Sequence, residues 1–91
     1  MEVFYDWDQK KNEWLRANRG VSFEMAVAAI ENGDVLDVKK NKKPREHQKL
    51  FIISLREYVY VVPAVVDGSK IFFKTMYPSR KLYKKLYEKE T

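Results

Sequence analysis

At 91 residues the chain is long enough for one ordinary domain, spanning 1–91, and too short for two. Hydrophobic residues at 45%, charged residues at 34%, three Gly and three Pro are the balance of a globular protein, and the absence of cysteine excludes disulfides, thiol catalysis and Cys-based zinc sites. The net charge of +5 is unevenly spread: residues 1–37 carry eight acids and four bases, net −4, while residues 38–91 carry fourteen bases and five acids, net +9. A basic half of that strength concentrates polyanions, and nucleic acid is the commonest such partner.

In chain order, Val3-Phe4-Tyr5 reads as a short strand ending at Asp6-Trp7-Asp8. Asp6 or Asp8 is placed to cap a helix that runs to about Ala17 and stops at Asn18-Arg19-Gly20, with Gly20 suited to a left-handed cap. Ser22 caps a second helix, with Glu24 in its first turn. Phe23, Ala26, Val27 and Ile30 fall at i, i+3, i+4 and i+7 as one apolar face. Asn32-Gly33 ends it.

Val35–Val38 reads as a strand, and 39–48 as a charged loop around Pro44. Leu50–Leu55 turns at Arg56-Glu57 into Tyr58–Val66, and the Asp67-Gly68 hairpin, with both positions suited to φ > 0, leads into Lys70–Tyr77. Pro63 has no N–H, so its strand should carry a bulge or a locally unpaired position there. Ser79 caps a final helix whose Leu82/Leu86 and Tyr83/Tyr87 pairs leave Lys81, Lys84, Lys85 and Lys89 on the remaining surface. The fold expected is α+β: a twisted antiparallel sheet, with two N-terminal helices on one face and a C-terminal helix packed with them, in the order β-α-α-β-β-β-β-α. Trp7, Trp14 and Phe23 are the expected core aromatics, and Tyr58, Tyr60 and Tyr77 the rings free to stack on bases.

The string Phe4-Tyr5-Asp6-Trp7-Asp8, then Lys11-Asn12, Asn18 and Gly20-Val21-Ser22-Phe23-Glu24, resembles the BrnT family of type II toxin–antitoxin ribonuclease toxins. Looser echoes follow: Glu46 and Lys49 before a strand, an apolar hairpin ending at Gly68, and a basic last helix. Two places depart from the family pattern. Its His before Gly-Val-Ser-Phe is Arg19 here, and its Ile-Ser-Ala-Arg run appears as Lys74-Thr75-Met76-Tyr77-Pro78-Ser79-Arg80. The resemblance implies a RelE-like fold and a cytoplasmic toxin that cleaves RNA without metal or other cofactor. It also implies a separate antitoxin of ribbon-helix-helix type, bound to the toxin as a dimer or heterotetramer.

Metal-free RNA cleavage uses the 2′-OH as nucleophile, and the protein supplies a base, cations for the phosphorane and an acid for the leaving 5′-oxygen. The catalytic residues expected are Lys49, Arg56, Lys74 and Arg80 as a converging cationic site, with Glu46 or His47 moving the proton; Arg19, Tyr77, Lys42 and Lys43 are the expected RNA contacts. Alternation along Lys70–Tyr77 puts Lys74 on one face with Phe72 and Met76, facing a cleft or reaching past an edge. No metal-binding cluster is apparent, since Asp6 and Asp8 suit capping better, and no stretch is long and apolar enough to span a membrane, because Tyr58–Val66 is short and holds Pro63. No secretory leader pattern opens the sequence. The competing class is a non-catalytic module of the same fold that binds nucleic acid or a protein segment.

Overall fold

The computed structural model describes residues 2–87. Strand β1 (Phe4–Trp7) leads to Asp8, whose extended backbone and side chain cap α1 (Gln9–Arg19) by accepting the Lys10 N–H at 3.0 Å. Gly20 closes α1 at φ 67°, where a side chain would be strained. Ser22 then caps α2 (Phe23–Glu31) by accepting from Met25 N. The buried stripe of α2 is Phe23, Ala26 and Ala29, one position round from the expected face. The two alanines let the helix approach the sheet closely, and Val27 and Ile30 flank that contact half-buried.

The remaining elements are β2 (Val35–Lys40), β3 (Gln48–Leu55), β4 (Tyr58–Asp67), β5 (Lys70–Phe73), β6 (Tyr77–Pro78) and α3 (Arg80–Tyr87); Lys89 lies outside the described residues. The sheet order is β1-β5-β4-β3-β2, with β6 on β4. Strands β2 to β5 form the expected antiparallel meander. The sheet as a whole is mixed, however, because β1 pairs parallel to β5, with Tyr5 opposite Ile71 and Trp7 opposite Phe73. No tight turn joins these two strands, so chain connectivity does not impose antiparallel pairing. The direction is the one that stacks Tyr5 and Trp7 on Phe73, at ring separations of 5.7 and 6.2 Å.

The helices also do not share one face. Leu15, Phe23 and Ala26 pack with Ile53, Val62, Ala64 and Phe73 on one side of the sheet. Leu82 and Tyr83 of α3 cover Ile52, Val59 and Val61 on the other. Successive residues of a strand point to opposite faces, and Tyr58–Val66 is apolar on both, so it needs cover on both sides. Trp14, expected in the core, stands exposed with Lys11 and Arg19 over its ring at 4.4 and 4.9 Å.

One hairpin turn is shifted and the other lies where expected. The β4–β5 loop is Gly68-Ser69, one residue on from the expected pair, and only Gly68 (φ 61°) is left-handed. At Arg56-Glu57 both residues have positive φ, 54° and 60°, the geometry a two-residue hairpin requires but one that side chains resist.

The most consequential difference lies in the expected strand Lys70–Tyr77, which breaks after Phe73. Lys74 N–H still donates to the Pro63 carbonyl at 2.8 Å, then Met76 turns into the helix-side core with no exposed surface. Pairing resumes as Tyr77 opposite Val61 and Pro78 opposite Tyr60. The Pro63 carbonyl faces the β5 side, so its missing N–H faces there too, and the neighbouring chain leaves the ladder where no donor is available. The locally unpaired position expected at Pro63 is this gap.

Candidate nucleic-acid interface

Asn12, Gly20, Val21, Ser22, Phe23 and Glu24 of the BrnT-like string hold the fold together. Asn12, 2% exposed, accepts the Phe23 N–H at 2.7 Å through Oδ1 and donates through Nδ2 to Glu24 Oε1 at 2.8 Å. One amide thereby joins the first turn of α1 to the first turn of α2. Arg16 donates to the same Glu24 oxygen at 3.2 Å. The hydrogen bond from Asn12, with the Arg16 guanidinium behind it, holds the Glu24 carboxyl below its ordinary range. Val21 and Phe23 are core, and Gly20 and Ser22 are caps. None of these is left over for chemistry.

The expected cationic site is not assembled. Lys49 and Arg56 lie at opposite ends of β3, seven residues apart, roughly 24 Å at ~3.4 Å per residue. Lys49 is exposed and pairs in register with Lys40. Two cations directly opposite repel, and they share the α1/α2 side with Phe51 and Ile53. Arg56 donates to the Gly20 carbonyl at 2.9 Å, clasping the β3–β4 turn to the α1–α2 turn. Arg80 opens α3 and lines a separate hollow with Tyr58, Tyr83 and Lys84. The backbone bonds Lys74 N–Pro63 O and Ser79 N–Val59 O are four residues of β4 apart, roughly 13 Å, so Lys74 and Arg80 do not meet at one phosphate. The convergence expected from sequence is therefore corrected: the strands that carry these side chains direct them to different faces and ends of the sheet.

The other expected residues divide similarly. Arg19 donates to the Met76 carbonyl, fixing the residue that precedes Tyr77, so it positions the break between β5 and β6. Lys42, Lys43 and His47 are exposed and Glu46 half-buried in the β2–β3 loop, which includes a cis Lys43–Pro44 bond. Tyr58 is not free to stack on a base, because Tyr83 already lies on it at 4.6 Å.

One cleft does gather functional groups. Asn41, Arg45, Gln48, Pro63, Lys74, Thr75 and Tyr77 line a hollow of about 380 Å³ where the β2–β3 loop meets the β5–β6 break. It holds two cations and no carboxylate. Lys74 is exposed at its rim, with its ammonium 5.4 Å from the Phe72 ring centre, and no longer shares a face with the buried Met76. Asn41 donates to Gln48 Oε1 at 3.2 Å, and Arg45 N–H donates to the Lys42 carbonyl at 2.7 Å, which closes the loop on itself beside the cleft. Of the expected residues it unites Lys74 and Tyr77. It adds Arg45, Asn41 and Gln48, which sequence reasoning passed over inside one long charged run. The signal available was Gln48, a polar residue at the entry to an apolar strand, here buried.

Arg45 and Lys74 can bind one phosphate from two sides, Tyr77 offers a ring and a phenol, and Thr75, Asn41 and Gln48 offer neutral hydrogen-bonding groups. Among the described residues no three His, Asp or Glu side chains cluster as metal ligands, and no helix is long and apolar enough to cross a membrane. Neither a protein-family model nor a curated protein sequence matches the chain.

Proposed function

We propose that the protein is a metal-independent endoribonuclease that works at the Lys74–Tyr77–Arg45 cleft and acts as the toxin of a type II pair, with a RelE-like fold. The observation that carries the reading is the cleft itself: two cations from separate segments, an aromatic phenol and no competing carboxylate around one hollow of phosphate-and-base size. The toxin assignment rests on the BrnT-like N-terminal string, and inhibition of translation, an antitoxin partner and a cytoplasmic setting follow from it as part of the proposal.

In this mechanism Arg45 and Lys74 hold the non-bridging oxygens of the scissile phosphate and gain strength as charge builds in the phosphorane. The 2′-oxygen attacks phosphorus and gives up its proton to solvent water, because Glu46 and His47, on the loop that carries Arg45, do not line the cleft. The P–O5′ bond breaks, and the leaving oxygen takes a proton from Tyr77 or Lys74. The products are a 2′,3′-cyclic phosphate and a 5′-hydroxyl. Lys49, Arg56 and Arg80 have no role at the reacting atoms.

Incubation of the antitoxin-free protein with single-stranded RNA in excess EDTA tests this. Cyclic-phosphate ends are expected, and Lys74→Met should lower the rate by ~10²–10³-fold. Intact RNA, or cleavage that requires added metal, overturns the proposal. The dispersal of the other cations favours a second reading, a module that binds RNA without cutting it. That reading predicts salt-sensitive binding with intact RNA in the same tubes.

A further inference from the structure

Strand β2 is an open edge of the sheet, and among the described residues nothing pairs with its outer side. Asn41 donates its N–H to Gln48 across the β2–β3 ladder, so by alternation Lys39 and Asp37 turn their amides inward while Val38 and Lys40 turn theirs outward. The Val38 N–H agrees: lacking a ladder partner, it donates to the side chain of Asp37 at 2.8 Å. Leu36 and Val38 stand 41% and 46% exposed on this edge, and Leu86 of α3 is exposed beside Leu36. An uncovered strand edge with exposed apolar side chains is a template for another strand.

The charges along the edge specify that strand. Asp34 and Asp37 precede Val38, and Lys39, Lys40 and Lys42 follow it. We infer that β2 pairs antiparallel with β2 of a second copy of this chain, about a two-fold axis at Val38. The two Val38 residues then exchange both backbone hydrogen bonds. Asp37 of each copy lies opposite Lys39 of the other, on the same face of the sheet, and the regular pairing ends there, because β2 is bulged at Leu36. Parallel pairing would instead set lysine beside lysine. A purely acidic peptide would meet Asp37 and Asp34, and RNA has no backbone amides with which to extend a ladder. Self-pairing is isologous and closes at two copies, leaving no free β2 edge. The cleft at Lys74 touches this edge only at Asn41, the residue that follows β2.

Sedimentation equilibrium from micromolar to millimolar protein tests the inference. The wild type should pass from 10.9 kDa to twice that mass. Val38→Pro removes an outward N–H whose one bond is to the exposed Asp37 side chain, so the β2–β3 ladder is kept, and dimer affinity should fall at least ~10-fold. Asp37→Lys, which sets two ammonium groups against each other at both symmetry-related pairs, should weaken it similarly, and the exchange Asp37→Lys with Lys39→Asp should restore it. If Val38→Pro fails to fold, the charge exchange decides alone. A wild type that stays monomeric at millimolar concentration, a dimer indifferent to Asp37→Lys, or no restoration by the exchange would overturn the interface. So would a monomer that accepts an acidic peptide at this edge.

Discussion

Replacing Asn12 by alanine tests whether the Asn12–Phe23–Glu24 motif is structural. The change strands the Phe23 N–H, which Asn12 Oδ1 accepts at 2.7 Å in a buried position, and a buried donor left without a partner costs about 1–3 kcal/mol. The Glu24 carboxylate also loses its contact. Its side chain is about half exposed, water replaces that bond, and the added cost is only ~0–1 kcal/mol. The sum, ~1–4 kcal/mol, is a large part of the roughly 5–14 kcal/mol available to a domain of this length. At ~4–8 °C per kcal/mol, Tm should fall by roughly 5–30 °C. Urea and thermal unfolding measure it, with Asn18→Ala as the control, since exposed Asn18 bonds only the Trp14 carbonyl and its loss should cost under ~0.5 kcal/mol. Asn12→Asp keeps an acceptor for Phe23 but sets a second carboxylate against Glu24. It should be destabilised at pH 7 and recover as pH falls through the carboxylate range. If Asn12→Ala unfolds no earlier than Asn18→Ala, the bridge does not hold the helices and the motif needs another explanation.

Three further expectations follow from separate contacts. Glu57→Gly relieves a left-handed residue at φ 60°, and after the entropy that glycine adds to the unfolded chain it should raise stability by ~0.5–1 kcal/mol in urea melts. The Tyr5 phenol is pushed up to about 12 by burial and by its 2.7 Å hydrogen bond to Glu31. The folded state therefore keeps a proton that the unfolded chain loses near pH 10. This contribution is complete below pH ~10 and lost as pH rises toward 12, so Tyr5→Phe should remove an ionisation near pH 12 from an absorbance titration. Arg19→Ala frees the Met76 carbonyl that fixes the start of β6, so RNA cleavage should fall while Arg19→Lys recovers part of it; equal activity in all three would remove Arg19 from the positioning of Tyr77.

Local chemistry made much of the fold readable in the sequence. The caps at Asp8, Gly20 and Ser22 depend on residues adjacent to the groups they serve, and strands β2 to β5 follow from short turns that leave no choice but antiparallel neighbours. The parallel placement of β1 rests on Tyr5 and Trp7 meeting Phe73, a contact with no local signature. The break after Phe73 was hidden because Lys74-Thr75 suits an alternating strand as well as a gap, while its cause, the missing N–H of Pro63, belongs to another strand. Basic side chains were the least legible. Arg19 and Arg56 are engaged by main-chain carbonyls, at Met76 and Gly20, and composition gives no hint of such partners. Arg45 reaches the cleft only through the fold of its loop.

The proposed chemistry stands or falls with the cleft where Lys74, Tyr77 and Arg45 come together. Amide chemical-shift mapping tests it most directly, with the labelled protein titrated by a short oligoribonucleotide made uncleavable by 2′-deoxy substitution. The predicted result is perturbation centred on Asn41, Arg45, Gln48 and Lys74 to Tyr77, and its loss in Lys74→Met. Shifts centred instead on Lys40 and Lys49 at the opposite face, or none at any concentration, would contradict it.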